Sequence, residues 1–333
     1  MRAQTGGAAT GTDQLAAVLQ TGGPELRRLI ARTEERLGEV AGGHGEALDE
    51  YTSDTLSAGG KRLRPMLVFI CAGDGGGEDD DLIRAGAAVE LLHTATLVHD
   101  DVLDRATLRR GRPTVFARGG VAAATATGDL LFSRAFAELT ATGSADAVRV
   151  LSSASSALAR GELMQREDAW SDSVTPERYL ERCELKTARL FEAACRLGAI
   201  LGSPGPGAAE AFGAFGSRIG VAFQIFDDVL DVSGPTERTG KPRGTDLLDG
   251  TVTLPLILAR REDASLKHLQ VSDPAEAEAI CDRIAATGAL TEARDEALAY
   301  VRDAKGVLQE LALTDRQRAT LELVAGSVVE RYS

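Results

Sequence analysis

Two short stretches carry carboxylates at a spacing that can gather them on a cation. They are LVHDDVLD at Leu97–Asp104 and FQIFDDVLD at Phe223–Asp231. Each contains DDxxD: Asp100, Asp101 and Asp104 in the first, Asp227, Asp228 and Asp231 in the second. On a helix turning ~100° per residue, positions i, i+1 and i+4 fall within an arc of about 100°, so each triplet converges on one point. The flanks, Glu90 to Asp104 and Ile219 to Val232, are apolar nearly all round, which reads as buried helix. Burying carboxylates costs several kcal/mol per ion unless a cation meets them. Neither DDxxD contains a basic residue, so hard, oxygen-seeking cations are expected, and Mg²⁺ suits one or two carboxylates plus substrate phosphates. The two motifs read as halves of one metal cluster. The run Glu78-Asp79-Asp80-Asp81, in a glycine-rich turn, reads as a solvated acidic surface instead.

A phosphate group bridging such metals needs cations nearby. Three groups qualify: Lys61, Arg62 and Arg64 in GGKRLRP; Arg109 and Arg110 just past Asp104; and Lys186 with Thr187 in ELKTAR. Gly59 and Gly60 allow close backbone approach to an anion, although the spacing is not that of a Walker loop. Each cluster alone is equally a solvated helix end. With the two metal motifs they offset the acidity of the site. His93 lies seven residues, two turns, before Asp100 and could donate to a second phosphate or be a satisfied core residue. His99 reads as orienting a carboxylate or packing.

The elements that position these residues are helices. Apolar or small residues at Ala293, Ala297, Val301, Ala304 and Leu308 make one stripe on one helix face. Thr314 to Gln317 reads as a capping box before a last helix ending near Arg331, and Thr175–Pro176 as the start of a helix through Leu201. No stretch alternates with period two long enough for a sheet. Gly73–Asp81, Gly202–Gly207 and Ser233–Gly250 separate helices and do not read as interdomain linkers. The expectation is a single all-α domain over residues 13–333, about a dozen helices, with residues 1–12 disordered. A formal net charge of −13 argues against nucleic acid and anionic membrane as default partners. Cys71, Cys183, Cys195 and Cys281 form no CxxC pair and read as reduced, buried thiols. Met1 to Gln14 has no apolar core of a signal peptide, and no apolar run reaches the ~18 residues needed to span a bilayer, so a cytoplasmic protein is expected.

In order and spacing, the strings GGKRLRP, ELLHTATLVHDDVLDRATLRRGRPTV, GELMQ at Gly161–Gln165, ELKTARLFEAA, FQIFDDVLD and GKPRGTDLLDG with TLPLI resemble the trans-prenyl diphosphate synthases, or polyprenyl synthetases. The resemblance runs from Gly59 to Leu258. It implies an all-α barrel around a deep central cavity, usually homodimeric. It implies that Asp100, Asp101, Asp104, Asp227, Asp228 and Asp231 hold a trinuclear Mg²⁺ cluster on an allylic diphosphate. Lys61, Arg64, His93 and Arg110 match positions that bind isopentenyl diphosphate. Arg109, Lys186, Thr187, Gln224 and Lys241 match positions that bind the allylic partner. The sequence departs in two places. Thr251 stands where many members carry a lysine that holds diphosphate, with Arg243 or Lys241 as possible replacements. The stretch from Arg118 lacks the usual aromatic-Gly-Asn, which leaves the local helix entry open.

The implied reaction ionises the allylic diphosphate, adds the double bond of isopentenyl diphosphate to the cation, and loses a proton to the released pyrophosphate. Stabilising the leaving group is the main lever, and water must be excluded. Product length should follow from the helix floor below Asp100. Thr96, Leu92 and Val89 form a stripe down one face, and Ala95 is where short-chain members place an aromatic plug. Small residues at Ala95 and Thr96 predict a product of twenty carbons or more, in the medium-to-long range, with transient membrane contact to deliver it. The alternative is a floor closed from another helix by Phe132 or Phe136. Two other functions stay open: a class I terpene cyclase, which would need no second diphosphate site, and a regulatory subunit of a prenyl synthase, which would be expected to have degraded aspartate motifs.

Overall fold

The computed structural model describes residues 11–73, 77–202, 205–234 and 243–330. Apolar residues recurring at three- and four-residue steps make fifteen α-helices among these residues. They are α1 (Gly11–Thr21), α2 (Gly23–Ala41), α3 (Glu46–Ser57), α4 (Leu63–Ala72), α5 (Asp79–Leu103), α6 (Val115–Thr140), α7 (Ala145–Glu167), α8 (Pro176–Cys183), α9 (Arg189–Gly202), α10 (Ala208–Ser233), α11 (Thr245–Leu248), α12 (Leu254–Glu262), α13 (Pro274–Ala285), α14 (Ala289–Gln309) and α15 (Asp315–Glu330). The strands β1 (Leu108–Arg109) and β2 (Arg112–Pro113) form a two-residue antiparallel hairpin after α5.

The two aspartate-bearing helices, α5 and α10, are central. Helix α5 lies along α6 and also meets α2, α4 and α9, while α10 packs on α9 and α14. One contiguous hydrophobic core runs from Val18 in α1 to Val328 in α15. The stripe expected on α14 is buried, with Ala293, Ala297, Val301, Ala304 and Leu308 all enclosed. Thr314 Oγ1 accepts from Gln317 N at 3.2 Å, as a cap should. The Gln317 amide does not close the box but reaches Ile70 O at 2.8 Å, tying α15 to α4.

The helix begun by Thr175–Pro176 is interrupted. Thr175 Oγ1 caps α8 by accepting from Arg178 N at 3.3 Å, and a π-helical turn at Glu184–Ala188 then joins α8 to α9. Such turns widen the helix by one residue and swing side chains off the regular face. Two glycines make room for it. A Cβ on Gly161 of α7 would stand 2.6 Å from Lys186 N, and one on Gly220 of α10 would stand 2.5 Å from Ala188 Cα.

The entry to α6 is ordered without the aromatic-Gly-Asn pattern. Thr114 Oγ1 accepts from Ala117 N at 3.0 Å. Arg118 pairs with Glu50 and Asp54 and lies 5.3 Å over the Tyr51 ring. Helix α6 kinks at Gly120, whose φ of 73° suits glycine. The acidic run is a solvated face with partners, Asp79 meeting Arg28 at 2.6 Å and Asp80 meeting Arg32 at 3.0 Å. All four cysteines are buried free thiols. Among the described residues no helix is long and apolar enough to cross a membrane. Residues 1–10 lie outside the described residues. The expected disordered segment falls mostly on those residues; α1 begins at Gly11 and packs on α15, with Val18 enclosed.

Candidate active site

The C-terminal end of α5 presents the first triplet unequally. Asp101 is buried, Asp100 half-buried and Asp104 exposed. The expectation that all three carboxylates are buried is corrected here, while the basic residues expected nearby include Arg109. Arg109, brought back by the β1–β2 hairpin, donates from Nε to Asp101 Oδ1 at 2.8 Å. Arg166, in the last turn of α7, donates to Asp104 Oδ1 at 2.5 Å. The DDxxD string contains no cation, yet folding supplies two from elsewhere in the chain. Burial pushes the Asp100 carboxyl up to about 6, with the nearby Glu162 and Asp104 charges adding and Lys186 and Arg109 opposing.

In the second triplet, near the C-terminal end of α10, the buried Asp228 is met by two neutral donors. Asp228 is buried, Asp227 exposed and Asp231 half-buried. Tyr179 OH donates to Asp228 Oδ2 at 2.7 Å, and Gln224 Nε2 donates to Oδ1 at 2.7 Å. Burial lifts Asp228 to about 7, against those two hydrogen bonds and the charge of Arg182. Asp231 Oδ2 accepts from Asp246 N at 3.2 Å, at the N-terminal end of α11.

The π turn joins the two triplets. Lys186 pairs with Glu162 of α7, and its charge acts on Asp100. The next residue, Thr187, donates to Gln224 Oε1 at 2.8 Å, and Gln224 holds Asp228. Consecutive residues of one turn therefore connect to the two aspartate clusters, Lys186 through its charge on Asp100 and Thr187 through Gln224 to Asp228. Among the described residues no three His, Cys, Asp or Glu side chains already surround a single ion position. Oxygen donors of this kind fit a hard cation whose remaining ligands come from phosphate and water.

Lys61, Arg64, His93 and Arg110 come together. All four line one cavity of about 470 Å³, with Phe191 and Phe223 on its apolar side. A Cβ on Gly60 would stand 3.4 Å from Nη1 of both Arg62 and Arg110, so the glycine backbone lies among guanidinium groups. Arg64 stacks 4.5 Å over the Phe191 ring, and burial pushes its guanidinium down to about 10, with Glu90 opposing and Arg110 reinforcing. Burial first, then the charges of Arg64, Arg110, Arg109 and Arg62, hold His93 well below its usual pKa, so it is neutral at pH 7. Arg62 and Arg110 take left-handed φ values of 47° and 53°, conformations costing ~1 kcal/mol each for a residue with a Cβ. A group of cations, with Lys61 and Arg110 exposed and Arg64 half-buried beside a neutral imidazole, is suited to an anion arriving from solvent.

Arg62 is not free to serve that anion. It is buried, donating to Glu90 at 2.6 Å, to Glu34 Oε2 at 3.0 Å and to Leu56 O at 3.0 Å. Arg243 does not supply the cation missing at Thr251. It donates to Val232 O at 2.9 Å and pairs with Asp282 at 3.0 Å, while Thr251 N donates to Asp246 O at 2.8 Å. Lys241 lies outside the described residues. His99 packs onto Gly128, its Nε2 3.4 Å from Asp129.

Below Asp100 a cavity of about 390 Å³ runs between α5, α6 and α7. Leu92 and Thr96 line it, with Phe132, Ser155, Ser156, Leu158 and Ala159 opposite. Val89 and Ala95 are fully enclosed and do not line it. Ala95 is one residue, ~100°, around the helix from Thr96, which turns it onto a packed side. Sequence reasoning missed Arg166, Glu90 and Tyr179. Arg166 had a faint signal, standing four residues after Glu162, to which it donates at 2.8 Å.

The family model described as Polyprenyl synthetase matches residues 45–286. The chain belongs to that family. It is a prenyl diphosphate synthase, an enzyme that transfers prenyl groups, of the all-α isoprenoid synthase fold. This polyprenyl synthetase is 36% identical over 301 residues to heptaprenyl diphosphate synthase component 2 of Geobacillus stearothermophilus, covering 85% of the chain and 94% of the relative. It is 38% identical over 231 residues to octaprenyl diphosphate synthase of Escherichia coli, covering 66% of the chain and 72% of the relative. Among solved structures, heptaprenyl diphosphate synthase from Staphylococcus aureus superposes with a TM-score of 0.86 at 30% identity, covering 92% of this chain and 99% of that one. Polyprenyl synthase from Caulobacter crescentus, complexed with calcium and isoprenyl diphosphate, gives a TM-score of 0.84 at 32% identity, covering 98% and 99%.

Proposed function

We propose that this enzyme condenses an allylic prenyl diphosphate with isopentenyl diphosphate, using Mg²⁺, to release pyrophosphate and a polyprenyl diphosphate of twenty carbons or more. The observation that carries this reading is the π turn whose Lys186 acts on Asp100 and whose Thr187 reaches Asp228 through Gln224, beside a cavity that runs below Asp100. In it, Asp100, Asp101, Asp104, Asp227, Asp228 and Asp231 would hold Mg²⁺, three ions in all, together with the allylic diphosphate. When bound, Mg²⁺ supplies positive charge to the departing diphosphate. Lys186 and Arg109 orient that diphosphate, and Lys241 adds to them.

Lys61, Arg64, Arg110 and neutral His93 hold the second diphosphate, with His93 donating one N–H. The allylic C–O bond breaks with its electron pair leaving on diphosphate. The double bond of isopentenyl diphosphate then attacks the allylic carbon, and the proton passes to the released pyrophosphate. Leu92, Phe132 and Leu158 keep water from the cation. The growing chain enters the cavity below Asp100, past the small Thr96, Ser155, Ser156 and Ala159, with Phe132 as its far wall.

We further propose one domain over residues 13–333, acting as a homodimer in the cytoplasm. Buried free thiols suit a reducing compartment. The name "component 2" of the Geobacillus relative favours a second reading, in which activity needs a partner subunit. One experiment tests both. Purified protein is incubated with Mg²⁺, isopentenyl diphosphate and allylic primers of several lengths, and products are weighed by mass spectrometry. Diphosphates of twenty carbons or more are expected. Products of fifteen carbons or fewer overturn the chain-length assignment. Turnover without isopentenyl diphosphate would identify a cyclase, and no turnover at all would favour the partner-dependent form.

A further inference from the structure

The first aspartate cluster is closed by a chain of ion pairs that prenyl transfer itself does not require. Asp104 meets Arg166 at 2.5 Å, and Arg166 meets Glu162 at 2.8 Å. Glu162 also meets Lys186, whose charge acts back on Asp100. Asp101 is separately held by Arg109 at 2.8 Å. Three carboxylates, Asp101, Asp104 and Glu162, thus pair with Arg109, Arg166 and Lys186. Asp104 and Arg166 are partly exposed, with side-chain exposures of 28% and 37%. Their pair is therefore loose enough to exchange partners. Glu162 is more enclosed, at 15%, and accepts from two cations. Burial pushes its carboxyl up, and Lys186 and Arg166 more than offset this, leaving it ionised and low. Glu162 therefore anchors Arg166 while Asp104 stays exchangeable.

We propose that Arg166 is a resting counter-ion for Asp104 that opposes divalent-cation binding until a diphosphate arrives. The proposal rests on the metal-dependent reading above and deepens it. A bare cation must displace a guanidinium that is already hydrogen-bonded. A diphosphate brings negative charge that both attracts the cation and offers Arg166 another acceptor. The carboxylates then admit metal together with substrate, which discourages a metal-filled site without substrate. Arg109 cannot be separated in this way, because it is also expected to touch the allylic diphosphate.

The test is Mn²⁺ binding to the whole chain by titration calorimetry, with metal alone and with inorganic diphosphate. Arg166→Gln should bind Mn²⁺ alone about two- to fivefold more tightly than wild type, the range of a partly exposed ion pair. The gain should shrink in high salt, where such pairs are screened. Arg166→Lys, which keeps the charge, should stay near wild type. In an Asp104→Asn background the substitution should bring no gain, the signature of a direct pair. With diphosphate present, wild type and Arg166→Gln should converge. Equal or weaker Mn²⁺ binding by Arg166→Gln, with circular dichroism unchanged, overturns the inference while leaving the prenyl-transfer reading intact. Absence of Mn²⁺ binding in every variant, even with diphosphate, overturns both.

Discussion

The two aspartate triplets have the same spacing on two similar helices, yet the molecule treats them differently. Around Asp100, Asp101 and Asp104, arginines from the β1–β2 hairpin and α7 supply compensating charge. Around Asp228 the immediate donors are a phenol and an amide, and burial raises the carboxyl to about 7. Ion pairs compensate Asp101 and Asp104 in the first cluster, whereas in the second burial favours the protonated form of Asp228. Both devices relieve the cost of grouping acids in a partly apolar site before a cation comes. They should respond differently when one acid is made neutral.

The largest expected effect is on turnover, where the clusters should behave alike. Asp101→Asn and Asp228→Asn should each lower kcat/KM by about 10²-fold or more, since both carboxylates are needed to stabilise the leaving group. A steady-state assay in which either variant stays within tenfold of wild type would remove that cluster from the chemistry.

Stability of the metal-free protein should separate them. Asp101→Asn leaves Arg109 without its ionic partner and should cost about 1–2 kcal/mol, less than a fully buried pair because Arg109 is partly exposed. Asp228→Asn resembles the protonated acid and should be neutral or stabilising at pH 8. Denaturant melts of both variants give the signs directly. A destabilised Asp228→Asn would mean that the wild-type acid is ionised and well satisfied.

The smallest effect is a slope. Asp228 binds its proton more tightly folded than unfolded, so its contribution to stability is complete below the unfolded value near 3.8 and is lost as pH rises toward about 7. Asp100, raised to about 6, adds a part with the same sign. Metal-free protein should therefore lose stability between about pH 4 and 7, and Asp228→Asn should flatten that trend. A wild-type profile that rises through this window, after the surface carboxylates are accounted for, would contradict the protonated second cluster.

The local pattern went far. DDxxD, GGKRLRP and ELKTAR each mark a residue set that folding gathers, because i, i+1 and i+4 lie together on any helix. The buried stripe on α14 and the cap at Thr175 are equally local. The partners were not legible. Arg109 and Arg62 look alike in sequence, yet one is held beside Asp101 and the other is locked between Glu34 and Glu90. Arg243 stands near the gap left by Thr251 but turns to Asp282. Ala95 and Thr96 are neighbours, and only Thr96 reaches the cavity.

By itself the sequence determined that two acidic helices and three basic segments exist and which faces they present, since helical periodicity is a property of a few consecutive residues. Only the tertiary structure decided which acid meets which base, where the helix between Cys183 and Arg189 opens into a π turn, and which carboxyl burial pushes upward. Those outcomes depend on distances between segments far apart in the chain and on how much water packing leaves around each carboxylate, and neither quantity is written in any local string of residues.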